Sequence, residues 1–142
     1  MDEGGQSLRY ATEPGPGPFH ATLDLTMSKT SVLSFDQTEG ERFRPGFERR
    51  ILSTSQLMTV VLDIDNGPWA EPDPYHSHPH EQTTYIADGE LLFLAEGDEP
   101  RRVRAGDLVA VPSGVPHSIQ LLSARARLVD TFNPIREDFL KG

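Results

Sequence analysis

Three of the chain's five histidines, His76, His78 and His80, fall within five positions of the stretch YHSHPHEQTTYIADG, Tyr75 to Gly89. Imidazole nitrogens suit first-row transition metals, so this density points to a metal. His76 and His78 are two apart, and on an extended backbone both side chains leave from the same face. Such a pair can clasp one ion. A helical clasp would need a spacing of three or four, and Pro79 removes a backbone donor in the middle of the run. The pair is therefore placed on a strand or strand edge. Cysteine is absent, which removes disulfides, thiolate ligands and thiol nucleophiles and leaves imidazole, carboxylate and amide groups as candidate ligands.

The elements that must position these residues fit one domain, since 142 residues build a single core but hardly two. Residues 1–26 contain PGPGP at Pro14 to Pro18 and little apolar periodicity, and are expected to form a flexible or draped extension, with a strand-swapped arm as the functional alternative. Met27 opens the more regular part and is itself a candidate initiator, so the domain is expected over 27–142. Phe47 to Ser53 reads as a short strand, and Gln56 to Asp65, QLMTVVLDID, alternates so that both faces look largely buried. A proline-studded loop, Asn66 to Pro74, then delivers the chain to His76. Thr83 to Ile86 and Leu91 to Leu94 flank Asp88-Gly89, a hairpin turn signal. A second hairpin leads through Glu96 to Pro100 into Arg101 to Arg104, whose arginines read as a solvated face. Leu108 to Val111, Ser118 to Leu122 and Ala126 to Phe132 complete the strands. Pro112 to Pro116, PSGVP, forms a tight loop that aims His117. Only the tail after Pro134 is expected to make a helical turn. Short strands with recurrent turns imply an all-β sandwich or barrel.

Thirteen Lys and Arg against 22 Asp and Glu give a net charge of −9, which disfavours nonspecific attraction to nucleic acid or an anionic membrane. No apolar run reaches spanning length, and the N-terminus lacks the basic-then-apolar layout of a signal peptide, so the expectation is a soluble cytoplasmic protein. A β-rich rim gives a reason to expect a homodimer.

Two motifs carry a family resemblance. His76-x-His78 is followed by Gln82 and Gly89, and downstream stands Gly106-x5-Pro112-x-Gly114-x2-His117. Together they resemble the cupin signature over about Gly40 to Asn133, which implies a jelly-roll β-barrel with His76, His78, Gln82 and His117 around one divalent metal such as Ni, Zn, Fe or Mn. The family's usual glutamate ligand is Gln82 here. Glu81 becomes the ligand if a bulge shifts the register, but the count back from Gly89 and the face shared with the two histidines favour Gln82. His80 is read as a supporting or substrate-contacting group. Three imidazoles and an amide leave the ion's full charge available for Lewis-acid work on an anionic or carbonyl-bearing substrate.

The C-terminal stretch narrows the resemblance. Asp130 and Phe132 share a face of the last strand, and Arg136 follows Pro134. HSHPHEQ joined to this Asp-x-Phe-x3-Arg ending is similar to the KdgF-type pectin-degradation cupins, which convert cyclic 4,5-unsaturated uronates to linear 5-keto-4-deoxyuronate. The resemblance implies that Asp130, Phe132 and Arg136 line a pocket for an anionic sugar acid. Arg136 offers planar donors to a carboxylate, Asp130 moves protons, and Phe132 packs against the sugar. An alternative is that Asp130 and Arg136 pair as rim charges and Phe132 is core. Two other functions fit the same ligands: a cupin dioxygenase of flavonol-like or other enol substrates, because a three-histidine site can hold redox-active metal, and a non-catalytic small-ligand-binding cupin.

Overall fold

The computed structural model of the chain describes residues 20–21 and 29–140. In chain order the strands are β1(His20–Ala21), β2(Glu41–Arg44), β3(Phe47–Ser53), β4(Met58–Ile64), β5(Glu81–Asp88), β6(Glu90–Ala95), β7(Arg101–Arg104), β8(Leu108–Val111), β9(His117–Leu121) and β10(Ala126–Asn133). One short α-helix, α1(Glu137–Leu140), follows Pro134, as the tail led one to expect, and a 3-10 turn at Phe35–Gln37 corrects the expectation that the tail alone is helical. Apart from residues 20–21, the extension expected over 1–26 lies outside the described residues, as does Met27. The backbone of β1 runs parallel to β3, beside Ile51 and Leu52.

Alternation of side chains dictates what each strand buries. Strand β10, ARLVDTFN, buries Ala126, Leu128, Asp130 and Phe132, every second residue. Two chemical candidates therefore stand in line with two core residues. Strand β4 buries Met58, Val60 and Ile64, whereas the other face is only half-buried, which corrects the expectation of two buried faces. Arg101, Arg102 and Arg104 of β7 are exposed, as expected of a solvated face.

The strands form two sheets. A seven-stranded sheet runs β1-β3-β4-β10-β5-β8 with β2 also on β3, and a three-stranded sheet runs β7-β6-β9. Apart from the β1–β3 pair, all pairings are antiparallel. The expected jelly-roll arrangement is present as these two layers, but among the described residues no strand pairing closes them into one barrel. Their inner faces share a core in which Phe47, Ile64, Ile86, Ala126 and Leu128 of the larger sheet meet Leu91 and Leu121 of the smaller. Full burial of one such Leu or Ile contributes about 1.5–3 kcal/mol.

The hairpin expected at Asp88-Gly89 is not formed. Strand β5 pairs with β10 and β8, while β6 pairs with β7 and β9, so at Gly89 the chain crosses from one sheet to the other. Gly89 has φ +93°, and a Cβ there would collide with the Arg125 carbonyl oxygen. Close approach of a neighbouring backbone, rather than a two-residue turn, is what requires glycine. The hairpin expected through Glu96 to Pro100 does form, pairing Glu90 with Arg104 and Phe93 with Arg101. No helix among the described residues is long and apolar enough to cross a membrane.

Candidate metal centre

The two motifs meet through backbone pairing. His76 and His117 exchange N–H···O bonds of 3.0 and 2.9 Å in an isolated antiparallel bridge, and the Gly114 N–H donates to the His78 carbonyl at 2.9 Å. The PSGVP loop thus docks on the first motif as well as aiming His117. The histidine pair does not lie on a regular strand: only His76 is bridged, and His78 sits in the loop before β5. The His76–His117 bridge and the Gly114 N–H to His78 carbonyl bond hold that segment against the second motif, and the rings of His76 and His78 converge with His117. Ring centroids stand 4.3 Å apart for His76 and His117, 5.1 Å for His78 and His117, and 5.8 Å for His76 and His78. One ligand nitrogen from each of the three lies within 4.8 Å of the others.

Backbone carbonyls select the tautomers. A carbonyl can only accept, so His78 Nδ1 donates to the His80 carbonyl at 3.0 Å and His117 Nδ1 donates to the Val115 carbonyl at 2.8 Å. Each neutral ring then carries its lone pair on Nε2. Burial keeps these rings neutral. It lowers the His78 and His117 pKa, and it lowers His76 to about 4 with help from the neighbouring His117 and His78. His78 Nε2 faces Gln82 Oε1 at 3.1 Å. Two lone pairs at that separation suit adjacent ligands of one ion, which at roughly 2.1 Å each and a right angle stand about 3 Å apart. The donor set of this chain therefore fits a divalent metal held by His76, His78, His117 and Gln82.

Strand register carries the site inward. Gln82 lies opposite Phe132, and Thr84 lies opposite Asp130, across the β5–β10 pairing. Gln82 Nε2 donates to Thr84 Oγ1 at 2.9 Å, and Thr84 Oγ1 donates to Asp130 Oδ1 at 2.6 Å. Asp130 is 8% exposed, and desolvation raises its pKa to about 6 against the opposing effects of the Thr84 hydrogen bond and the Arg136 charge. A cavity of about 200 Å³ lies beside this chain, its wall including His76, Gln82, His117, Asp130, Phe132 and Arg136.

Arg136 does not pair with Asp130. Its Nη2 and Nε donate to Asp138 at 2.8 and 3.3 Å, and its guanidinium lies over the rings of Phe139 and Phe132 at 4.1 and 5.2 Å. The rim ion pair considered from the sequence is therefore replaced by a pair with Asp138, two residues along the tail. Phe132 is at once core and site. It packs with Ile51, Met58 and Val60 and meets the His78 ring edge-on at 5.8 Å. His80 is absent from the cavity wall; its ring lies 5.5 Å from that of His78, and its Nδ1 is buried without a partner among the described residues. Glu81 is exposed and Gln82 half-buried, consistent with the register that favoured Gln82.

Sequence reasoning missed Thr84, Asp73 and Arg44. Asp73 and Arg44 line the cavity and form a two-point ion pair at 3.1 and 3.2 Å. Thr84 was findable, since it shares the period-two face of Gln82. Arg44 was not, because nothing local ties it to a loop 29 residues away.

Comparison with known proteins agrees with this geometry. Residues 63–132 match the Cupin domain family. The chain is 34% identical over 107 residues to the pectin degradation protein KdgF of Dickeya dadantii, covering 74% of this chain and 94% of that protein. It superimposes on the structure of KdgF from a Halomonas species with a TM-score of 0.66 and 30% identity, covering 73% of this chain and 94% of that one. It is also 32% identical over 96 residues to quercetin 2,3-dioxygenase of Bacillus subtilis, a match spanning 64% of this chain but only 28% of that protein.

Proposed function

The chain belongs to the cupin family, and on that premise we propose that it is a metal-dependent enzyme that opens cyclic 4,5-unsaturated uronates to linear 5-keto-4-deoxyuronate. The observation that carries this reading is Asp130, a buried carboxyl group with a pKa of about 6 on the wall of the cavity that also receives His76, His117 and Arg136. Similarity to KdgF proteins over most of the chain supports the substrate class.

His76, His78, Gln82 and His117 would hold a divalent ion, which when bound would supply a Lewis acid for sugar oxygens with no anionic ligand to diminish its charge. The remaining work falls to the chain. Asp130 takes the proton of the anomeric hydroxyl; C1 becomes an aldehyde carbonyl as its bond to the ring oxygen breaks. That oxygen stays on C5 as an enolate. Asp130 then returns the proton to C4, which leaves a ketone at C5 and a methylene at C4. Nothing is consumed and no electrons are transferred. A pKa near 6 lets one carboxyl serve as base and then acid close to neutral pH. Arg136 anchors the substrate carboxylate in competition with Asp138, and Phe132 packs against the sugar face.

The test is direct. Metal-loaded protein incubated with an unsaturated galacturonate monomer is expected to accelerate loss of the conjugated-alkene absorbance. No acceleration over buffer overturns the substrate assignment. The partial likeness to quercetin 2,3-dioxygenase favours oxygen chemistry as the second reading. Metal-dependent oxygen uptake with quercetin supports that reading, and uronate turnover under anaerobic conditions excludes it for the uronate reaction.

A further inference from the structure

We propose that Thr84 is a positioning residue that decides which end of the Gln82 amide faces the metal centre, presenting Oε1 and holding Nε2 away. The inference rests on reading His76, His78, Gln82 and His117 as a metal site. Thr84 lines the cavity, but its hydroxyl bonds to Gln82 and Asp130 and to none of the three histidine rings, so toward the metal centre it acts through Gln82.

The direction of the hydrogen bonds follows from counting protons. Thr84 Oγ1 lies 2.6 Å from Asp130 Oδ1 and 2.9 Å from Gln82 Nε2. A hydroxyl has one proton to give, and a carboxylate only accepts, so that proton goes to Asp130. The lone pair of the hydroxyl must then be met by a donor. Of the two ends of the Gln82 side chain only the NH2 group qualifies. The chain therefore runs from Gln82 through Thr84 to Asp130, and Oε1 is left facing His78. Thr84 is only 4% exposed, so little solvent competes for its hydroxyl.

The far end of the chain shows what this prevents. His78 Nδ1 gives its proton to the His80 carbonyl, so Nε2 holds a lone pair, and it meets Oε1 at 3.1 Å with no proton between them. Turning the amide over would let Nε2 of Gln82 donate to that lone pair. His78 and Gln82 would then satisfy each other and occupy the ligand position on His78. By holding the NH2 group, Thr84 keeps two lone pairs aimed at the place where a cation fits. A glutamate at position 82 would have no proton to give Thr84, so the hydroxyl would serve two carboxylates with one hydrogen. Gln82 and Thr84 are matched in this sense.

The experiment uses the full chain, metal-free and isotopically labelled. Nuclear Overhauser contacts from the Gln82 side-chain NH2 are expected to Thr84 and not to the His78 ring. Thr84→Val keeps the shape and removes the hydroxyl. In that variant the NH2 contacts are expected to move to His78, and Zn²⁺ affinity to fall about 10–100-fold, as for other partners that orient metal ligands. Thr84→Ser is expected to restore both. Wild-type protein that binds neither Zn²⁺ nor Ni²⁺ overturns the metal reading and the inference with it. Wild-type protein that binds Zn²⁺ while Thr84→Val binds it equally well overturns the role of Thr84 alone. Should Thr84→Val fail to fold, the wild-type contacts decide: NH2 contacts to the His78 ring refute the proposal, and contacts to Thr84 support it.

Discussion

Asp130 stands on the inner face of β10, where its neighbours two residues away are Leu128 and Phe132. A carboxylate there is costly, and the cost is visible as a pKa raised by burial from 3.8 to about 6. The folded state therefore binds this proton more tightly than the unfolded state does. Its contribution to stability is most favourable below about pH 4 and is lost as pH rises through about 6. Asp130→Asn removes the charge and keeps an oxygen for Thr84. In metal-free protein it is expected to raise stability at pH 7.5 by up to about 3 kcal/mol, the free energy that corresponds to a pKa raised from 3.8 to about 6, and to give little gain at pH 4. Urea unfolding at both pH values checks this, and an equal gain at both would remove desolvation as the cause. The same variant is expected to lose uronate turnover, a trade of function for stability. Residue types disclosed these candidates because histidine clusters and an acid two positions from an aromatic are visible in a string. The proton chain was not visible. It depends on Thr84 lying across from Asp130, 46 residues away.

Among the elements, the crossing at Gly89 holds the two layers in place. Strand β5 carries Gln82 and Thr84, and β6 carries Leu91 and Phe93 into the opposite sheet. Gly89→Ala would put a methyl group against the Arg125 carbonyl and the Ala126 backbone at a positive φ. Conformation alone costs roughly 1–2 kcal/mol, and the collision adds to it. The expected outcome is a loss of more than about 2 kcal/mol in denaturant unfolding, whereas Gly97→Ala, at a similar φ with nothing within 4 Å of the added methyl, loses only the conformational part. Equal losses would show that the approach of the Arg125 backbone is unimportant. Strand positions were legible from alternation, and most lie within a few residues of where they were expected. Their partners were not. Asp88-Gly89 signals a turn, and a turn between two strands of one sheet has the same local chemistry as a crossing between two sheets.

For the whole molecule, the candidate metal ligands come from separated parts of the chain, so the proposed site would exist only in the folded state. Metal binding must then stabilise the fold by mass action. At a free Zn²⁺ concentration 100 times Kd, the gain is expected to be about 2.7 kcal/mol, seen as a rise in Tm that chelation reverses. A Tm indifferent to metal would mean that these side chains do not form a site. The sequence by itself determined the strand-rich class, the cupin resemblance and the residue types of the centre, because period-two burial and fixed motif spacing are local properties. Only the tertiary structure decided which of those groups meet. The β5–β10 register directs Gln82 through Thr84 to Asp130, the His76–His117 bridge brings the two motifs face to face, and Arg136 turns to Asp138. The physical reason is that hydrogen-bond direction and desolvation depend on which groups meet across strands, and cross-strand partners are set by the packing of the whole chain.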